Sequence, residues 1–314
     1  MLCKSLCFFL LFTAAAATIS DGFYQHILEN FGKEIAETVA RKDVGEKGSF
    51  GGGESVGPIR QNKIPIVFAH GQTRLAGYLN YILTNFLDNG YTFDELYATT
   101  YGTNVTLENY FSDKVHCHYI KALRWLLEAV LSYTQHEQID VIAFSMGAGM
   151  IRKAILGGQC VETKEDLGEP LTHKIRNYIS VVGVQRGLAK CDKVKEYIPL
   201  CNENNGLFCD SDYNKDINDV KSGYEATERI VAIESTADDL LAATTSCEAN
   251  AATFRGVNEL YTLHNLDHRE ATWFLGEMIY NVSQELPLMD LEKISEIAGK
   301  NARIISDRDL GIVQ

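Results

Sequence analysis

The chain has 314 residues, enough for one large core or two smaller ones, and its 46% apolar and 23% charged content is that of an ordinary globular protein. A net charge of −13 opposes both nucleic acid and an anionic membrane surface, so neither is expected as the main partner.

Lys4 precedes the apolar run Leu6–Ala17, which is too short to cross a bilayer comfortably and ends in small residues. It reads as a signal peptide over residues 1–20, cleaved between Ala17 and Ser20. No later segment is apolar enough for a transmembrane helix, so the mature chain is expected to be secreted. Cleavage removes Cys3 and Cys7 and leaves Cys117, Cys160, Cys191, Cys201, Cys209 and Cys247. An even number of cysteines in an exported chain predicts up to three disulfides. The spacing fits no compact zinc pattern, and the pairing is open. Crowding of Cys191, Cys201 and Cys209 into one polar segment predicts at least one bridge there. Asn104–Val105–Thr106 and Asn281–Val282–Ser283 are glycosylation acceptors.

Residues 21–43 have the apolar spacing of one amphipathic helix, through Phe23, Ile27, Phe31, Ile35 and Val39. Gly45 to Gly57 reads as a loop, which makes residues 21–62 a lead-in to a main domain over 63–314. From Ile64 onward strands and helices alternate. Ile64–Ala69 reads as a strand, Leu75–Leu87 as a helix, Leu96–Thr100 as a strand and Lys114–Tyr133 as a helix. Ile139–Phe144 is the next strand, Met146–Leu156 the next helix. Arg176–Gly183, Arg229–Glu234 and Glu259–Leu263 are further strands, and Glu270–Leu286 closes as a helix. Near-continuous apolar strands alternating with helices predict the α/β class: a mostly parallel sheet with helices on both faces. Leu188–Ser222 breaks the alternation with Cys, Asn and Asp, and is expected as an insertion over one end of the sheet.

At Ile139–Gly147 a β-branched run ends in Ser145, flanked two residues away on either side by Ala143 and Gly147. That is the layout of a nucleophile elbow, with alanine in place of the usual first glycine. A serine nucleophile needs a histidine base oriented by a carboxylate, here in the chain order Ser, acid, His. His264 and His268 both follow the last strand, and His268, at a loop apex before the closing helix, is preferred. His173 comes too early in the chain order. Asp238 and Asp239 lie at the C-terminal end of a strand, where catalytic groups collect. Asp238 is chosen and Asp239 stays open, since one of the pair could cap a helix starting at Leu240. Asp267 is expected to be a loop residue. An oxyanion hole needs two backbone donors, expected from Met146 after the serine and from Gln72 in the His70–Gly71–Gln72 loop.

At these residues the chain resembles the class 2 (EstA/EstB-type) lipases, in particular their secreted nematode-type members. The matching stretches are Gly48–Gly52, Pro65–Gly71, Glu95–Gly102, Ala143–Gly147, Leu167–Thr172, Cys201–Cys209 and Asn265–His268. The small bacterial members likewise carry alanine ahead of the nucleophile. The resemblance implies an α/β-hydrolase fold, with Ser145 as nucleophile, Asp238 as acid, His268 as base, and the amides of Gln72 and Met146 as oxyanion donors. It also implies hydrolysis of lipid esters such as acylglycerols, with no metal or organic cofactor; a monomer is expected. Val182–Gly187 departs from the family's usual Ala-Gly-Asn-Arg-Gly, a change that bears on pocket shape. The competing expectation is a non-catalytic secreted lipid- or ligand-binding protein that keeps the fold, and acyl transfer would use the same residues.

Overall fold

The computed structural model describes residues 18–53, 56–57, 63–102, 110–219, 221, 223–241, 247 and 254–304. The apolar run of the expected signal peptide and the Asn104 acceptor lie outside these residues. In chain order the elements are α1 (Asp21–Phe31), α2 (Lys33–Ala40), β1 (Ser49–Phe50), β2 (Ile66–Ala69), α3 (Asn80–Asp88), β3 (Leu96–Thr99), α4 (Cys117–Thr134) and β4 (Ile139–Phe144). There follow α5 (Met146–Leu156), β5 (Ile175–Val181), α6 (Asp212–Asn218), β6 (Arg229–Ser235), β7 (Glu259–Leu263), α7 (His268–Trp273), α8 (Gly276–Ser283) and α9 (Leu291–Ile304).

Among the described residues seven strands form one sheet, in the order β1-β3-β2-β4-β5-β6-β7. Every neighbouring pair is parallel except β1 with β3. This is the α/β-hydrolase arrangement. β4 lies at the centre with all six residues buried, so its apolar run needs no polar alternation. Its one acid, Asp140, is fully buried and accepts from the Arg176 guanidinium and the Asn177 N–H; burial still holds its carboxyl above the usual range.

Three local expectations change. The single helix over 21–43 is two, because Gly32 turns the chain at φ 91° and its N–H closes the first helix on the Ile27 carbonyl. The segment expected as a loop contributes β1, a two-residue edge strand too short to show any alternation. The closing helix starts at His268 rather than Glu270, because Asp267 and Glu270 form a reciprocal capping box. It then breaks after Trp273 into α7 and α8, and α9 follows, packed on β7 and α7.

The six cysteines pair as Cys117–Cys160, Cys191–Cys201 and Cys209–Cys247. The first ties the start of α4 to the chain beyond α5, and the second closes a small loop of the predicted insertion. Among the described residues no helix is long and apolar enough to cross a membrane.

Candidate active site

Ser145 sits at the turn from β4 into α5 with φ 51° and ψ −128°, a conformation that a non-glycine residue holds only against a cost of about 1–3 kcal/mol. The surroundings impose it. The Ser145 N–H donates to the Val181 carbonyl at 3.1 Å, and its carbonyl accepts from Ala148 at 3.1 Å and from Val184 at 3.0 Å. The turn is so tight that a Cβ on Gly147 would stand 2.1 Å from the His70 carbonyl oxygen. Ala143 is fully buried between Ala69 of β2 and Ser180 of β5. The glycine read from the sequence at position 147 is thus demanded by a backbone contact, and the alanine at 143 fills a fully buried strand position. Further along α5, the buried Arg152 donates to Glu225, to the Gln185 carbonyl and to the Ile217 carbonyl, pinning the helix to the segment after β5.

His268, the first residue of α7, comes from the segment after β7, the edge strand three positions from β4. Its Nε2 lies 2.9 Å from Ser145 Oγ, and its Nδ1 lies 2.7 Å from Asp238 Oδ2. A carboxylate only accepts, so the proton is on Nδ1 and the Nε2 lone pair faces the serine hydroxyl. Asp238 is almost wholly buried. Its other oxygen, Oδ1, accepts from the N–H groups of Leu240 and Leu241 at 2.9 and 2.7 Å. One carboxylate therefore does both tasks that the sequence divided between the pair: it meets the imidazole and it caps the turn at Leu240.

The other candidates make different contacts. Asp239 is exposed, and its Oδ1 accepts from the His268 backbone N–H at 3.1 Å. His264 is exposed and pairs with the Thr236 hydroxyl. His173 precedes β5, at the opposite edge of the sheet from Ser145. Asp267, expected as a loop residue, is the N-cap of α7, and the Asp-x-x-Glu spacing was the signal for it.

Gln72 follows β2 beside the elbow, where a Cβ on Gly71 would touch Ser145 Cβ at 3.1 Å. Neither the Gln72 nor the Met146 backbone N–H has a hydrogen-bond partner among the described residues. The loop that carries Gln72 is set from beneath by His70. That ring is buried, donates from Nδ1 to the Gly71 carbonyl at 2.7 Å and stacks on Tyr101 at 4.1 Å. Burial lowers its pKa to about 4, so it is neutral at physiological pH. Tyr101, which also donates to the His70 carbonyl, lies in the family-like stretch Glu95–Gly102, and Val184 lies in the divergent Val182–Gly187, but neither stretch by itself says that its residue buttresses the elbow. Ser145 and His268 open into a cleft of about 230 Å³ that Gln72, Arg74, Tyr110, Leu240 and Trp273 also line. A hydroxyl with its proton facing a lone pair, a ring held by a buried carboxylate and two free amides nearby together make an arrangement suited to nucleophilic attack on a carbonyl.

The family described as lipase (class 2) matches the chain over residues 63–277. Comparison with curated proteins finds no match in sequence. Among solved structures, a Bacillus licheniformis lipase in its propeptide form is 14% identical with a TM-score of 0.50, covering 78% of this chain and 54% of that one. The mature form of that enzyme is 14% identical with a TM-score of 0.49, over 76% and 96% of the two chains. Lipase B of Aspergillus fumigatus is 11% identical with a TM-score of 0.47, over 75% and 57%. At these identities the likeness is one of fold.

Proposed function

The chain belongs to the class 2 lipase family, which makes it a lipolytic ester hydrolase, and we propose that it is a secreted serine enzyme cleaving lipid esters through Ser145, His268 and Asp238. The observation that carries this reading is the unbroken relay from Ser145 Oγ to His268 Nε2 at 2.9 Å and from His268 Nδ1 to Asp238 Oδ2 at 2.7 Å.

The chemistry follows from the groups present. Ser145 Oγ attacks the ester carbonyl as its proton passes to His268 Nε2, and Asp238 stabilises the imidazolium that forms. The amides of Gln72 and Met146 take the negative charge that develops on the carbonyl oxygen. The proton on Nε2 goes to the departing alkoxide, leaving an acyl-serine. Water, deprotonated by His268, then cleaves the acyl-enzyme, and the proton returns to the serine. Secretion is supported by the three disulfides, which belong to an oxidising compartment.

The test is acid release from p-nitrophenyl esters and from emulsified acylglycerols of graded chain length, together with labelling by a fluorophosphonate. Labelling at Ser145 and loss of hydrolysis in Ser145→Ala are expected. Hydrolysis that survives this substitution refutes the mechanism, and a folded protein that neither labels nor hydrolyses is the non-catalytic binder.

A further inference from the structure

The doubled acid after β6 does more than offer two candidates for one role. Asp238 and Asp239 both reach His268, at different atoms. The Asp238 carboxylate is locked by the Leu240 and Leu241 amides so that Oδ2 faces the imidazole Nδ1. The next side chain leaves the turn in another direction, and Asp239 Oδ1 accepts from the His268 main-chain N–H at 3.1 Å. His268 is the first residue of α7, so its N–H has no partner within its own helix. The capping box of Asp267 and Glu270 satisfies the amides of those two residues and leaves the His268 N–H to a group from outside the helix. On the other side, the Asp239 carbonyl accepts from Lys190 Nζ at 2.9 Å, next to the Cys191–Cys201 bridge.

We infer that Asp239 is a positioning residue: its carboxylate holds the His268 backbone while Asp238 holds the ring. The inference rests on the reading of His268 as the base. Its physical sense is that a bond to Nδ1 alone fixes one atom at the end of a side chain. The ring can keep that bond and still swing Nε2 away from Ser145 if the Cα drifts. A second hold at the backbone removes that freedom. The neighbouring bond from the Ser235 hydroxyl to the Leu266 carbonyl, at 2.6 Å, fastens the same two loops and leaves His268 itself untouched.

The experiment compares Asp239→Ala, which removes the acceptor, with Asp239→Asn, whose amide oxygen keeps it while the charge is lost. Two readouts are taken: kcat and KM on a soluble p-nitrophenyl ester, and the low-field proton resonance of the His268 Nδ1–H, which needs no turnover. Asp239→Ala is expected to lower kcat about tenfold with KM within about twofold of the parent, and to broaden the low-field resonance by faster exchange. Asp239→Asn is expected to keep both the resonance and at least about half of kcat. The inference is overturned if the alanine variant keeps kcat and the resonance. It is also overturned if alanine and asparagine are equally impaired, which would make the charge the agent, or if KM alone moves, which would make Asp239 a substrate contact in the cleft. Failure of the underlying reading looks different: Ser145→Ala stays active, or the resonance is missing from the parent protein.

Discussion

Replacing Asp238 with asparagine exchanges one oxygen for an NH2 group and leaves the shape unchanged, so its effect is set by which way the amide points. The backbone decides this. Leu240 and Leu241 both present N–H donors to Oδ1, at 2.9 and 2.7 Å, and only the amide oxygen can accept from them. The NH2 group of the Asp238→Asn side chain is therefore turned toward His268 Nδ1, where it must donate. That forces the imidazole proton onto Nε2, and the ring then offers Ser145 a proton instead of a lone pair. The flipped amide would restore the tautomer only by setting NH2 against two N–H donors, losing two hydrogen bonds at a buried position. A wrong-tautomer triad is expected to cost about 10⁴-fold in kcat, or about 5 kcal/mol of barrier. The assay is kcat and KM on a soluble p-nitrophenyl ester, with the fluorophosphonate labelling rate as a second measure and thermal unfolding as the check on fold. A variant that retains its fold and stays within about tenfold of the parent in kcat refutes the assignment of Asp238 as the orienting acid.

Gly147→Ala sets a Cβ 2.1 Å from the His70 carbonyl oxygen, a backbone atom that can yield only by moving the loop bearing Gln72. Because that movement takes one of the two proposed oxyanion donors out of place, kcat is expected to fall about 10²-fold or more, and an alanine variant with parental kcat contradicts the tight-elbow account. Burying His70 neutral depresses its pKa from 6.5 to about 4, so the unfolded chain binds a proton in that window and the folded one does not. Its contribution is complete above about pH 6.5 and is lost as pH falls toward 4, up to about 3 kcal/mol. Urea midpoints at about pH 7.5 and about pH 4.5 should therefore diverge less in His70→Asn than in the parent, and equal divergence in the two proteins refutes the linkage. Removing the Cys117–Cys160 bridge, which closes a separation of 43 residues, is expected to cost about 4 kcal/mol by chain entropy. Denaturant midpoints of the double serine variant under non-reducing conditions measure it, and a loss below about 1 kcal/mol shows that the unfolded chain is not constrained as that account requires.

What the sequence disclosed and what it withheld divide along a physical line. β4, α5 and β7 run over the same residues read from the chain alone: β4 is a buried run whose end Ser145 marks, with α5 starting directly after it, and the half-exposed edge strand β7 is bounded by the polar Asn258 and His264. Ser145 and His268 could be chosen because chain order and strand ends are one-dimensional facts, and the sheet brings those ends to one edge whatever the loops between them do. The choice between Asp238 and Asp239 was of another kind. The two differ in which way their side chains leave a turn, and that direction comes from the amides of Leu240 and Leu241 and from where α7 begins. Cysteine pairing had the same character: Cys117 and Cys160 meet only once α4 and α5 are packed side by side. The break at Gly32 was hidden because the apolar period continues through it, and a single glycine acts on the backbone without altering the pattern of faces. The cues for α7 and α9 were present but short. Asp267 with Glu270 starts one, and the Asp290 carboxylate, accepting from the Glu292 and Lys293 amides, starts the other. A cap fixes where a helix begins more sharply than apolar spacing does, and at His268 that difference of two residues matters. It turns the proposed base from a loop residue into the first residue of a helix, with a main-chain N–H that the second aspartate is placed to hold.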